Sequence, residues 1–285
     1  MKKLWRKFKA WLESIWPQQS DPSAQPDDNH PSGSAAPIST HPTGHRASFL
    51  FDNAGTRVMN YLSRHYAESE YDAILDRCKA NGDNAIYLYL ANYGDGAGRT
   101  NFYTGAFGTS SVDPGDVLFM RGRIAKARDK GLRVIAWLLP DDSGSIIPYG
   151  NIGVLTQYIT DAVANFDTAV HEYVLALEAD ETIKASGAKK LAKVLAGLTT
   201  RTIGLHQTPR QYGLSKSILE IDVHYHQYGW GRSPAQIEAD TRHVVSRVGK
   251  PVIASEYNKS SNTEQARLQG QAAMRGGAFG TGTGR

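Results

Sequence analysis

From Ala47 onward the chain repeats one unit, a short apolar strand followed by an amphipathic helix. We predict eight strands, at Ser48–Phe51, Ala85–Leu90, Arg133–Leu138, Tyr173–Leu177, Thr202–Leu205, Leu219–His224, Val252–Ser255 and Gly277–Gly280. We predict helices between them, at Glu70–Ala80, Asp116–Lys130, Ile152–Val170, Ala185–Leu198, Pro234–Val248 and Thr263–Arg275. Eight such units in about 240 residues are typical of a (β/α)8 TIM barrel in the α/β class.

The composition of the strands favours a parallel sheet that is covered on both faces. Val134–Leu139, for example, is a continuous apolar run, as buried parallel strands are. A doubly wound open sheet is the main alternative. It is disfavoured because no Gly-rich phosphate loop follows the first strand.

Two segments precede the repeating units. Residues 1–16 have apolar side chains at spacings of three and four and predict an amphipathic helix, which Pro17 ends. Residues 17–46 are rich in Pro, Ser, Asp and His and predict a disordered linker. Three roles fit the helix: lying on a membrane surface, docking on a protein partner, or packing on residues 47–285, where the eighth helix of a regular barrel would lie.

Charge and cysteine content exclude some functions. The net charge of the chain is +4, and residues 1–19 carry the whole excess, so we expect no nucleic-acid partner for the barrel. Cys78 is the only cysteine, which excludes an intrachain disulfide. No ligand spacing predicts a metal site, and we expect no cofactor.

Polar and aromatic residues are concentrated where the predicted strands end. The carboxyl ends of barrel strands meet at one rim, where the chemistry of such proteins takes place. The residues that we expect there are Asp52, Asn92, Asp141, Asp142, Glu178, Asp180, Glu181, His206, His224, Tyr225, His226, Tyr228, Trp230, Glu256, Tyr257 and Asn258. Carboxylates can do chemistry and aromatic rings can stack on sugars, so the rim predicts a saccharide pocket.

Two glutamates are the candidate catalytic residues. Glu181 follows the fourth strand and Glu256 ends the seventh, and two carboxylates across a pocket are what cleavage of a glycosidic bond requires. Glu178, three residues before Glu181, is the alternative acid. We expect His224 and His226 to point in opposite directions, so that at most one of them faces the pocket.

These positions resemble those of the clan A glycoside hydrolases, the cellulase-like barrels of family 5 and its relatives. The resemblance implies that Asp180-Glu181 corresponds to the clan's asparagine and acid/base glutamate, and that Glu256 corresponds to its nucleophile. The run Asp222–Tyr228 resembles the strand-six segment whose tyrosine orients the nucleophile, a role open to Tyr225 or Tyr228. The sequence departs from the clan pattern at Asp180, which is usually asparagine, and at Gly280–Gly284, where an aromatic residue is usual.

The resemblance implies a retaining glycoside hydrolase acting on a poly- or oligosaccharide by double displacement. Glu256 would attack the anomeric carbon, while Glu181 would protonate the leaving oxygen and then activate water. The other rim residues, Asp52 and Asn92 among them, would bind the sugar. Two other classes remain open: a barrel that binds carbohydrate without cleaving it, and a phosphate-handling barrel enzyme. The helix–linker–barrel layout fits a cell-envelope, extracellular or virion-associated hydrolase.

Overall fold

The computed structural model describes residues 46–48, 58–64, 66–91, 102–104, 111–140, 147–258 and 264–283. The strands are β1 (Arg46–Ser48), β2 (Ala85–Tyr89), β3 (Arg133–Leu139), β4 (Glu172–Ala176), β5 (Thr202–Gln207), β6 (Val223–His226), β7 (Val252–Ala254) and β8 (Gly280–Thr283). The helices are α1 (Glu68–Ala80), α2 (Pro114–Asp129), α3 (Ile152–Phe166), α4 (Ala179–Thr182), α5 (Ala185–Leu198), α6 (Gly213–Ser217), α7 (Pro234–Val248) and α8 (Glu264–Arg275). A short 3-10 helix spans Val58–Asn60. The predicted N-terminal helix lies outside the described residues.

All eight strands belong to one parallel sheet. The order is β1-β8-β7-β6-β5-β4-β3-β2, and β1 also lies against β2, so that the sheet curls into a barrel. The predicted (β/α)8 TIM barrel is therefore confirmed. None of the helices in the described part of the chain is long and apolar enough to cross a bilayer.

The helices begin and end where local sequence signals favour it. Asp113 accepts hydrogen bonds from the backbone of Gly115 and Asp116 at the start of α2, where Pro114 takes the first helical position. Ser233 and Gln236 form a reciprocal capping box at the start of α7. All six predicted helices lie within four residues of the observed bounds at both ends, and α5 and α7 match at both ends.

The predicted boundaries of the strands agree less well with the structure than those of the helices. The predicted sixth strand, Leu219–His224, begins four residues too early, because Leu219 is 88% exposed and β6 starts only at Val223. The predicted eighth strand begins at Gly277, which has a φ of 99° and lies in the turn after α8. The predicted first strand is displaced too, and β1 begins at Arg46, the last residue of the predicted linker.

Aromatic side chains fill the inside of the barrel. The ring of Trp137 lies 5.5 Å from that of Tyr87 and 5.4 Å from that of Tyr225. Glycines make room for these rings: a Cβ at Gly204 would lie 2.5 Å from the Tyr225 ring, and one at Gly282 would lie 2.6 Å from the Tyr87 hydroxyl. The remaining apolar side chains form a shell between strands and helices.

A carboxyl group is buried at the opposite end of the barrel from the predicted rim. Glu172, the first residue of β4, accepts a hydrogen bond of 2.5 Å from the hydroxyl of Tyr225. Burial raises the pKa of Glu172 from 4.5 to about 8, although the hydrogen bond from Tyr225 acts in the opposite direction. Burial therefore favours the protonated carboxyl in the folded protein.

Gly204→Ala should destabilise the protein, because the added methyl group overlaps the Tyr225 ring inside a filled barrel. We expect a loss of about 1–3 kcal/mol in the free energy of unfolding, measured by urea denaturation. The matched control is Gly122→Ala on the exposed face of α2, where a Cβ meets nothing within 4 Å. That variant should gain about 0.5–1 kcal/mol, and equal effects at both positions would contradict the packing of the barrel.

The free energy of unfolding should fall as pH rises between 4.5 and about 8, because over this range folded Glu172 retains a proton that the unfolded chain releases. Below that window the carboxyl is neutral in both states, and above it both states are ionised. Glu172→Gln keeps a neutral side chain at every pH and should flatten this slope in the melting temperature. If Glu172→Gln does not alter the slope, Glu172 is already ionised in the folded protein over this pH range.

Candidate active site

Two glutamates adopt the left-handed backbone conformation directly after their strands. Glu178 follows β4 with φ 46° and ψ 46°, and Glu256 follows β7 with φ 43°. Arg210 is the only other non-glycine residue with positive φ in the described ranges, and it follows β5. Such a conformation costs of the order of 1–3 kcal/mol and is concentrated at functional sites. The backbone thus marks the carboxyl ends of the strands as the candidate site.

The side chain of His206 lies between these two glutamates. Its Nδ1 accepts a hydrogen bond of 3.0 Å from the backbone N–H of Glu178. Its Nε2 lies 3.5 Å from Oε2 of Glu256. His206 is the fifth residue of β5 and is fully buried, with Trp137 packed against its ring at 5.5 Å. One imidazole therefore brings the exits of β4 and β7 together.

Gln227 also connects the two exits, and the sequence patterns did not identify it. Its Nε2 donates to Oε1 of Glu178 at 2.9 Å. The next residue, Tyr228, donates its backbone N–H to the carbonyl of Glu256 at 3.4 Å. Gln227 is two residues after Tyr225, whose ring lies inside the barrel, and this period of two is the signal that could have pointed to it.

Glu181, the predicted acid, is exposed on the short helix α4. Its backbone N–H donates to the carbonyl of Glu178, so the two residues lie one helical turn apart. Glu178, the alternative acid, is instead half-buried and lies at the same imidazole as Glu256. If Glu178 occupies the acid position, then Leu177 stands where the clan pattern has asparagine.

Asp180 is engaged by the protein itself. One carboxylate oxygen accepts the backbone N–H of Thr208 at 2.9 Å, and the other accepts the Thr208 hydroxyl. These bonds tie α4 to the residue that follows β5. The geometry favours a structural role for Asp180 over the predicted contact with a sugar hydroxyl.

The expectation that His224 and His226 point in opposite directions is wrong. Side chains two residues apart on a strand share a face, and Nε2 of His224 lies 3.2 Å from Nδ1 of His226. Nδ1 of His224 lies 2.9 Å from the hydroxyl of Ser215 in α6. Both rings therefore lie on the helix side of β6, and burial lowers the pKa of His224 and brings that of His226 to about 3.

Neither tyrosine of the strand-six segment directs its hydroxyl proton at Glu256. Tyr225 donates to Glu172 at the far end of the barrel. Tyr228 lies 2.7 Å from the hydroxyl of Thr241, which itself donates to Ile237, so the proton of Tyr228 goes to Thr241. The proposed orienting role of a strand-six tyrosine is therefore corrected, and the position of Tyr225 favours packing over sugar binding.

The other predicted sugar-binding residues are in three situations. Trp230, in the loop after β6, is 39% exposed. Tyr257 is buried against Tyr228, and Asn258 donates its amide to Gln269 at 2.6 Å. Asp52, Asn92, Asp141 and Asp142 lie outside the described residues.

Among the residues that the structure describes, no group of three or more His, Cys, Asp or Glu side chains is arranged to hold a metal ion. The chemistry available at the described rim is that of carboxylates, an imidazole and an amide.

Comparison with known proteins identifies the fold. No protein-family model and no curated protein matches the sequence. The structure is similar to an endo-1,4-beta-D-mannanase from Thermotoga petrophila RKU-1, with a TM-score of 0.60, 17% identity, and coverage of 78% of this chain and 85% of the other. An endo-1,4-beta-mannanase from Rhizomucor miehei gives a TM-score of 0.59 at 13% identity over 84% and 89% of the two chains.

A third similar structure is a glycoside hydrolase family 5 protein from Bacteroides vulgatus ATCC 8482, with a TM-score of 0.58 and 15% identity, covering 86% of this chain and 62% of the other. At these identities the likeness establishes the barrel fold that clan A glycoside hydrolases share. The reaction and the site residues therefore rest on the geometry described above.

Asp180→Ala should lower the free energy of unfolding by about 1–3 kcal/mol, because it leaves the buried N–H of Thr208 without its acceptor. Thermal denaturation measures this, with Glu181→Ala as the control on the neighbouring exposed position. A sugar-binding role without a structural one would instead leave the melting temperature of Asp180→Ala unchanged.

Proposed function

We propose that the chain is a retaining glycoside hydrolase in which Glu256 is the nucleophile and Glu178 the acid/base. The observation that carries the proposal is the pair of left-handed glutamates after β4 and β7, both in contact with His206. The barrel fold and the glycoside hydrolases among its structural neighbours support the same reaction class.

The proposed reaction has two displacements. In the first, a carboxylate oxygen of Glu256 bonds to the anomeric carbon, the bond to the leaving oxygen breaks, and that oxygen takes the proton of Glu178. In the second, Glu178 removes a proton from water, and the water oxygen displaces Glu256 from the anomeric carbon. Both carboxyl groups return to their starting protonation states, and the anomeric configuration is retained.

The choice of Glu178 over Glu181 follows from position. A general acid must reach the leaving oxygen while the nucleophile reaches the adjacent carbon, so the two carboxyl groups of a retaining enzyme lie about 5–5.5 Å apart. Glu178 and Glu256 contact the same imidazole, and Gln227 orients the Glu178 carboxyl toward the end of β6. Glu181 is exposed and one turn away on α4.

The substrate that we propose is a poly- or oligosaccharide. Trp230 offers a partly exposed ring at the rim, which suits stacking on a sugar face. Mannans with β-1,4 linkages come first in a substrate panel, because the names of several structural neighbours specify that linkage and sugar. Gluco-, xylo- and galacto-polymers complete the panel.

The roles are tested by amide variants of the three glutamates. Glu256→Gln should abolish release of reducing ends. Glu178→Gln should lower turnover of natural glycosides by about 10²–10⁴-fold, yet spare the first displacement, measured as kcat/KM, for aryl glycosides whose leaving group needs no proton. Glu181→Gln is the matched control on the same turn and should keep wild-type turnover. NMR of the first product should show the same anomeric configuration as the substrate.

Other outcomes reassign the roles or the class. Loss of turnover in Glu181→Gln with an active Glu178→Gln would return the acid role to Glu181. Inverted product would exclude Glu256 as a covalent nucleophile. A chain that binds a polysaccharide of the panel but releases no reducing ends would be a carbohydrate-binding barrel, the alternative that Leu177 in the asparagine position favours.

A further inference from the structure

His206 offers both of its ring nitrogens to the two proposed catalytic glutamates. Nδ1 accepts the backbone N–H of Glu178, and Nε2 faces Oε2 of Glu256. The imidazole is fully buried, and Trp137 packs against it. The sequence predicted that His206 binds substrate, but both of its nitrogens are directed at protein groups.

The contact with Glu178 determines where the ring carries its proton. A backbone N–H can only donate, so Nδ1 must present a lone pair. A neutral imidazole with a bare Nδ1 carries its proton on Nε2. That N–H is the group that faces the carboxylate of Glu256. An imidazolium, or the tautomer with the proton on Nδ1, would place two donors against each other at Glu178.

We propose that His206 is a positioning residue that sets both glutamates at once, with Nδ1 as acceptor for the Glu178 backbone and Nε2–H as donor toward the Glu256 carboxylate. This inference rests on the proposed function. The bond at Nδ1 holds Glu178 in its left-handed conformation, which aims the acid. The N–H at Nε2 orients Oε2 of Glu256 and stabilises the anion that attacks.

The distance at Nε2 fits such a role. At 3.5 Å the contact is longer than a hydrogen bond and acts as an electrostatic attraction. Contacts of this kind tighten when substrate binds. Because the ring is buried in the barrel wall on β5, it can hold both glutamates without contacting the sugar.

Two amide variants separate the two halves of the proposed role. In His206→Asn the amide oxygen falls near the place of Nδ1, so the acceptor for Glu178 remains and the donor to Glu256 is lost. In His206→Gln the amide nitrogen reaches the place of Nε2, so the donor remains and the acceptor is lost. His206→Leu removes both, and melting temperatures establish that each variant folds.

The kinetic readout is the dependence of kcat/KM on the leaving group in a series of aryl glycosides, because kcat/KM reports the first displacement and not the second, in which Glu178 acts as a base. His206→Gln should lower kcat/KM by about 10- to 100-fold for poor leaving groups only, because the acid is misplaced. His206→Asn should lower kcat/KM by a similar factor for every leaving group, because the nucleophile is misplaced. KM should not rise in either variant, since uniform binding is unaffected. Raised KM, or the same leaving-group dependence in both variants, would overturn the proposal.

A spectroscopic readout is independent of turnover. Nitrogen NMR of the full chain should show a bare Nδ1 and a protonated Nε2 for His206 at neutral pH. Glu256→Gln should shift the Nε2 resonance and leave Nδ1 unchanged, with the exposed His243 as the reference ring. An Nδ1–H tautomer or an imidazolium would overturn the inference. If no glycoside is cleaved although this tautomer is present, the proposed function fails and the geometry stands.

Discussion

The alternation of side chains along eight closed parallel strands governs the whole structure. Every strand residue must face either the inside of the barrel or the surrounding helices. Inside the barrel, the rings of Trp137 and Tyr225 pack together below the rim. Position 204 is a glycine because the Tyr225 ring occupies the space that a side chain would need. Continuing the same inward positions toward the carboxyl ends leads to His206 and Gln227, whose side chains both form hydrogen bonds with Glu178.

At the rim, two glutamates adopt a strained backbone conformation. Glu178 and Glu256 both adopt a conformation that costs free energy, and both do so within two residues of a strand end. Hydrogen bonds to His206 and Gln227 offset that cost at Glu178 and fix its direction. Strain held by specific partners is a means of pre-organising a site, and the proposed reaction needs two carboxyl groups at a fixed separation.

Elsewhere, ionisable side chains are buried in their neutral forms. Burial favours the protonated carboxyl of Glu172 and the uncharged rings of His224 and His226, since an unpaired charge away from water is costly. Each of the three has a hydrogen-bond partner, namely Tyr225, Ser215 or the other histidine. These groups therefore maintain the barrel wall, and the proposed chemistry is confined to the rim.

The fold was predictable because it depends on signals that are local in sequence: apolar runs, helix caps and their eightfold repetition. The same signals located Glu178, Glu181 and Glu256 at strand ends, and they identified Pro234–Val248 at both ends. Strand limits such as that of β6 were less accessible, because Leu219 is apolar yet exposed. The direction of His224 and His226 follows from the period of two and was misjudged.

By itself the sequence determined the barrel, the rim and the group of candidate carboxylates, because spacing along a chain dictates element type and order. Only the tertiary structure offered a basis for choosing between Glu178 and Glu181 as the proposed acid. That choice depends on the turn after β4, which leaves Glu181 exposed and brings Glu178 to His206. Three strands distant in sequence contribute to that contact, and no local pattern specifies how they meet.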